Sequence, residues 1–152
     1  MKNLIKLCAL AVAIALSIAA SFASTSDQEK DFVDQYKRAF EGSDAAKLES
    51  LLYTKDADPN ALKFYKMMLI TEMGSKLSNI ELRNLTPDEA KKAAEIQPSP
   101  DGGKSKLSVM PSKKLVLKIE TKDENGTSSS SSESFVAEVD GKLLIPVPVA
   151  VQ

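Results

Sequence analysis

The sequence predicts an α+β fold in which N-terminal helices pack on a curved, cone-shaped antiparallel β-sheet. Three observations carry this. Apolar residues between Asp27 and Met73 recur at helical spacing, and from Leu107 onward they alternate with period two. Asn125-Gly126 and Asp140-Gly141 then stand between alternating runs as hairpin signals.

The N-terminus decides how much of the chain enters that fold. Residues 1–23 read as a secretory signal: Lys2 and Lys6 give a positive start, Leu7–Ala20 is apolar except for Ser17, and Ser21-Phe22-Ala23 has small residues where a signal peptidase cuts. The run is shorter than the roughly 20 apolar residues that span a bilayer. Cys8 lies at its start, whereas a lipoprotein acylation site lies at its end. The expected mature chain is residues 24–152, a single domain with no stable membrane span after cleavage. The short Lys/Ala-rich signal points to a bacterial periplasmic or extracellular location.

Cleavage removes the only cysteine, and the chain has no histidine or tryptophan. Without disulfides an exported domain needs a full hydrophobic core, which a chain of this length can supply. Ser-His-Asp triads, thiolate nucleophiles and Cys/His zinc sites are excluded, so no metal and no cofactor is expected. Of 20 basic and 21 acidic residues, loss of Lys2 and Lys6 leaves 18 against 21. That balance lacks the basic footprint of a nucleic-acid binder.

The first helix is expected over Asp27–Glu41, where Phe32, Val33, Tyr36, Ala39 and Phe40 form one stripe. Gly42 stops it, and Ser43 or Asp44 caps a short second helix carrying Leu48, Leu51 and Leu52. Asp58-Pro59 opens a third helix ending near Gly74. Its Leu62, Phe64, Tyr65, Met68, Leu69 and Met73 cover more than half the circumference, which predicts a largely buried helix. Ser78–Leu85 alternates at Ile80 and Leu82 and reads as a short strand. Thr86-Pro87-Asp88-Glu89 is a capping box for a short polar helix reaching about Ile96.

After the loop Pro98–Gly103, Leu107 and Val109 alternate, Pro111 marks a bulge or edge, and Leu115, Leu117 and Ile119 resume the alternation. A two-residue turn at Asn125-Gly126 places Ile119 opposite Ser132, Leu117 opposite Ser134 and Leu115 opposite Val136. Aliphatic side chains facing serines leave the sheet underfilled at one end. The run Ser128–Ser132 is therefore either a solvent-facing strand end or the wall of a polar pocket. Val116, Phe135 and Leu144 fall on the other face and offer a surface for a homodimer. Gly102-Gly103-Lys104-Ser105 lacks the first glycine, the preceding strand and the following helix of a phosphate loop.

The stretch "FVDQYKRAFEGSDAAKLESLL" resembles the opening of the nuclear transport factor two-like superfamily, which includes ketosteroid isomerases and many exported proteins of unknown function. "KLVLKIETKDENGT" and "SFVAEVDGKLLIPV" are similar to its terminal strands, although Gly141-Lys142-Leu143-Leu144-Ile145 lacks the tryptophan common in that last hairpin. The segment Thr86–Met110 departs from the superfamily's spacing. The resemblance implies a pocket that includes Tyr36, Phe40, Tyr65 and Met68, with Tyr36 at the place of the isomerases' oxyanion-holding tyrosine. No clearly inward-facing carboxylate base accompanies it, so no catalytic residue is assigned.

The expected function is a non-enzymatic binding or interaction module of the bacterial envelope, with a small apolar ligand or an envelope protein as partner. The alternative is an isomerase or dehydratase using Tyr36 and a carboxylate. The signal reading makes one direct prediction. Protein secreted from an export-competent host should have the intact mass of a chain starting at Ser24; membrane-retained protein that keeps residues 1–23 would contradict it.

Overall fold

The computed structural model describes residues 24–99, 101–124 and 126–151. The expected signal (residues 1–23) and the turn residue Asn125 lie outside them, as do Pro100 and Gln152. The described chain is α+β, with N-terminal helices packed on a sheet that is antiparallel except at one edge.

Helix α1 (Ser26–Glu41) starts from a capping box: the Thr25 hydroxyl accepts from the Gln28 amide, and the Gln28 side chain accepts from the Thr25 amide. Its expected stripe is the buried face, with Phe32, Tyr36, Ala39 and Phe40 enclosed and Val33 half-buried. Gly42 ends the helix, but the left-handed residue is Ser43, at φ +57°. The Ser43 and Asp44 amides bond back to the carbonyls of Phe40 and Ala39, which closes the helix end. Asp44, not Ser43, then caps α2 (Ala45–Glu49) by accepting from the Lys47 amide at 2.9 Å.

The chain continues through β1 (Leu52–Tyr53) to α3 (Pro59–Thr71). Asp58 caps α3 through two amide hydrogen bonds, with Pro59 at the first helical position. The expectation that α3 is largely buried is corrected. Only Ala61 and Leu69 are enclosed, whereas Phe64, Met67, Met68 and Ile70 are exposed, because the core covers one side of this helix and nothing in the described chain covers the other. Gly74 follows at φ +85°, and its amide donates to the Phe40 carbonyl at 2.8 Å. A Cβ there would lie 2.8 Å from Ser43 Oγ, so the turn after α3 seats directly on the break between α1 and α2.

Strand β2 (Lys76–Asn84) begins two residues before the expected Ser78. A bulge at Ser78 lets Leu77 and Ile80, three residues apart, both reach the core, which hides the first part of the strand from an alternation test. α4 (Pro87–Ala94) has the expected Thr86–Glu89 capping box. After it come β3 (Gln97–Pro98), β4 (Lys104–Leu107), β5 (Lys113–Asp123), β6 (Gly126–Val139), β7 (Lys142–Pro146) and β8 (Pro148–Ala150). The main sheet has the order β1-β7-β6-β5-β2, with β1 parallel to β7, and a small sheet has the order β3-β4-β8.

The β5–β6 register differs from the expected one by two residues. Ile119 faces Ser130, Leu117 faces Ser132 and Leu115 faces Ser134, because the turn closes between Asp123 and Gly126. Gly126, at φ +136°, is the first residue of β6 in a conformation that other residues rarely adopt. A shift of two preserves the alternation, so the same side chains stay inside. Asp140-Gly141 forms the expected hairpin, with Val139 paired to Lys142. One core joins Phe32, Tyr36 and Phe40 to Leu48, Leu69, Leu115, Leu117, Ile119, Val136 and Ile145.

The junction of α1, α2 and α3 gives a stability prediction. Gly74→Ala must hold a left-handed backbone and press a methyl group against Ser43, so it should cost about 1–3 kcal/mol. A urea melt of the variant should show a lower midpoint at unchanged slope. A midpoint equal to wild type would mean that the contact with Ser43 and Phe40 constrains nothing.

Candidate functional site

Two of the concave sites that adjoin α3 share Tyr65 in their walls. The first gathers all four residues singled out by resemblance: Tyr36, Phe40, Tyr65 and Met68 surround one cavity with Leu69, Glu72, Leu117, Ser132, Ser134 and Ile145. Tyr36 and Phe40 reach it from one face of α1, their rings 6.1 Å apart and 18° from parallel. Phe32 lies 6.4 Å from Tyr36 in a tilted arrangement. Met68 is only partly enclosed, with 40% of its surface exposed.

The polar groups of this cavity are sparse. Burial, and second the charge of Glu72, push the Tyr36 phenol well above its ordinary range, so it is a neutral hydroxyl. Burial likewise raises Tyr65. Glu72 accepts a hydrogen bond from Ser130 at 3.3 Å, and the Tyr36 hydroxyl makes none among the described residues. A phenol and a carboxylate thus share a cavity, as proton abstraction beside a carbonyl would require. Its volume, however, is about 20 Å³. That holds roughly one water, not a substrate.

The serine run divides between the two roles foreseen for it. Residues 126–131 of β6 are exposed, and Ser132 and Ser134 turn inward to the cavity wall.

The second site is a groove of about 250 Å³ on the far side of Tyr65. Ala61, Phe64 and Tyr65 of α3, Ala93 of α4, Leu107 of β4 and Phe135 of β6 provide most of its apolar wall. It exists because α4 lies across the outer face of the main sheet. Glu89 takes Arg83 at 2.6 Å and Lys114 at 2.9 Å, and Lys114 also pairs with Glu133. The Arg83 guanidinium, the Thr86 amide and Lys114 together hold the Glu89 carboxyl far below the usual carboxylate range. Phe135 is the β6 partner of Lys114, so Ala93, one turn beyond Glu89, comes to the Phe135 side of the sheet. Of the outer-face residues Val116, Phe135 and Leu144, Phe135 thus lies in the wall of this groove.

Sequence reasoning missed this groove because it forms where the chain between Thr86 and Met110 folds back. The available signals were the small residues Ala90 and Ala93 on one side of α4 and the lone aromatic Phe135 on the outer parity of β6. The Gly102-Gly103 loop is the tip of the β3–β4 hairpin, where Asp101 accepts from the Gly103 amide at 3.0 Å. That amide is thus already taken by a carboxylate. Among the described residues no three Asp or Glu side chains come together as a metal site, and no helix is long and apolar enough to cross a membrane.

No protein-family model matches the sequence, and no curated protein matches it. Among solved structures, a variant of a designed nuclear transport factor two-like protein is similar to 82% of this chain and 97% of its own, at 12% identity and a TM-score of 0.37. So loose a superposition leaves the fold to rest on the strand order and register given above.

Tyr36 supplies the test of the smaller cavity. Tyr36→Phe removes a hydroxyl without a described partner and should change stability by less than about 0.5 kcal/mol. Tyr36→Ala opens a core cavity and should cost about 3–5 kcal/mol. The folded phenol keeps its proton to higher pH than the unfolded one. Its contribution is thus intact below about pH 10 and lost as the pH rises further. Denaturant melts across the alkaline range should therefore decline less steeply for Tyr36→Phe; equal slopes would show that the hydroxyl titrates as it does in the unfolded chain.

Proposed function

We propose that this chain is an exported, non-enzymatic binding module of the nuclear transport factor two-like superfamily that takes a small apolar ligand in the groove between α3, α4 and β4. The superfamily reading is supported by the broken helix pair at Gly42–Asp44 and by the order of helices before a sheet. The N-terminal pattern of residues 1–23 supports export.

The observation that carries the binding reading is the contrast between the two sites. An apolar cavity of roughly 150 Å³ already admits benzene. The groove, at about 250 Å³, exceeds that, and the Tyr36 cavity, at about 20 Å³, falls far below it. Few polar groups interrupt the groove, as in small-molecule sites generally. The arrangement around Tyr36 and Glu72 has the groups of an isomerase without the space.

Ala93→Leu places extra side-chain volume inside the groove and leaves the Glu89 anchor in place. A neutral naphthylamine dye, whose fluorescence rises in apolar surroundings, should bind the wild-type protein and bind this variant at least roughly tenfold more weakly. Circular dichroism checks that both are folded. Equal dye binding by a folded variant would contradict the reading.

A further inference from the structure

We infer that the groove selects an amphiphile with a short alkyl or aryl body and a single anionic head, such as a medium-chain carboxylate. This rests on the proposed binding role of the groove and goes beyond it by specifying the ligand's charge.

The groove's wall is apolar, but its polar residues are unevenly arranged. Lys92 on α4 and Lys106 on β4 both line it, and neither belongs to an ion pair among the described residues. Lys114, on the same outer face of the sheet, is committed to Glu89 and Glu133. Glu95 is the only acidic residue among those lining the groove, which leaves an excess of one positive charge there.

Ser105 adds a hydrogen-bond donor to the same wall. The residue is 4% exposed and lines the groove, and a serine hydroxyl can donate to a ligand's head group. A carboxylate can accept from Ser105 while facing Lys92 and Lys106. An alcohol can accept too, but it gains nothing from the lysines. An ammonium group can neither accept from Ser105 nor approach them without repulsion.

The geometry also limits the apolar body. A groove of about 250 Å³ takes a short apolar body and not a long acyl chain. The exposed lysines keep the head at the solvent edge, where it retains part of its hydration, and the body lies against Phe64, Leu107 and Phe135.

The test compares octanoate, octanol and octylammonium by displacement of the neutral dye from the intact protein at low salt. Octanoate should bind roughly two- to fivefold more tightly than octanol, and octylammonium should bind most weakly. The octanoate advantage should shrink as salt rises. Lys92→Gln combined with Lys106→Gln should bring the ratio of octanoate to octanol affinity to about one, with circular dichroism checking that the variant is folded; a ratio equal to wild type in the folded variant would overturn the inference. If octanol binds as well as octanoate or better, the apolar groove stands and the inference of anion selection is overturned. If none of the three displaces the dye and the dye itself does not bind, both the groove's role and its selectivity are overturned.

Discussion

The structure depends on a volume match between α1 and the inner face of the sheet. Where β5 presents Leu115, Leu117 and Ile119, its partner β6 presents Ser134, Ser132 and Ser130. Serines leave that side of the sheet short of apolar volume. Phe40 and the buried ring of Tyr36 supply it, and the space left between them and the sheet is about 20 Å³. Close packing of this kind is what holds a helix at one position on a sheet. Once α1 is placed, its end is placed too. The closure at Ser43 and Asp44 presents the Phe40 carbonyl to Gly74, and the chain leaving α3 is thereby fixed against α1.

A second constraint acts on the opposite face. Glu89 closes the capping box of α4 and also receives Arg83 from β2 and Lys114 from β5. One carboxylate therefore joins a helix start to two neighbouring strands. Its partners are only partly exposed, so the attraction is screened less than that of a free surface pair. With α4 held there, Ala93 and Phe135 become walls of the same space, and the small sheet β3-β4-β8 closes its side. Tyr65, lining both this groove and the Tyr36 cavity, separates a filled interior from an open site.

Much of the architecture was legible in the sequence because short-range chemistry decides it. The stripe from Phe32 to Phe40, the caps at Asp44, Asp58 and Thr86, and the turn at Asp140-Gly141 each follow from residue types at fixed offsets. Failures occurred where a distant partner decides. The apolar circumference of α3 could not reveal that its Phe64 and Met67 side has no cover in the described chain. The bulge at Ser78 broke the alternation by which β2 was sought. In the β5–β6 hairpin, both registers keep the same residues inside, so hydrophobic pattern could not choose between them. Tyr36, Phe40, Tyr65 and Met68 line one cavity, but no pattern of residues conveys that the cavity is nearly full. The groove escaped notice because its walls come from α3, α4, β4 and β6, which are separated in sequence.

The central claim is that ligand occupies the groove bounded by α4 and not the cavity at Tyr36. Mapping backbone amide shifts by nuclear magnetic resonance during a titration with octanoate addresses this residue by residue. The account predicts the largest shifts at Ala93, Ser105, Leu107 and Phe135, with Tyr36, Leu117 and Ser132 almost unmoved. Largest shifts at Tyr36, Leu117 and Ser132, with Ala93 and Leu107 stationary, would contradict it.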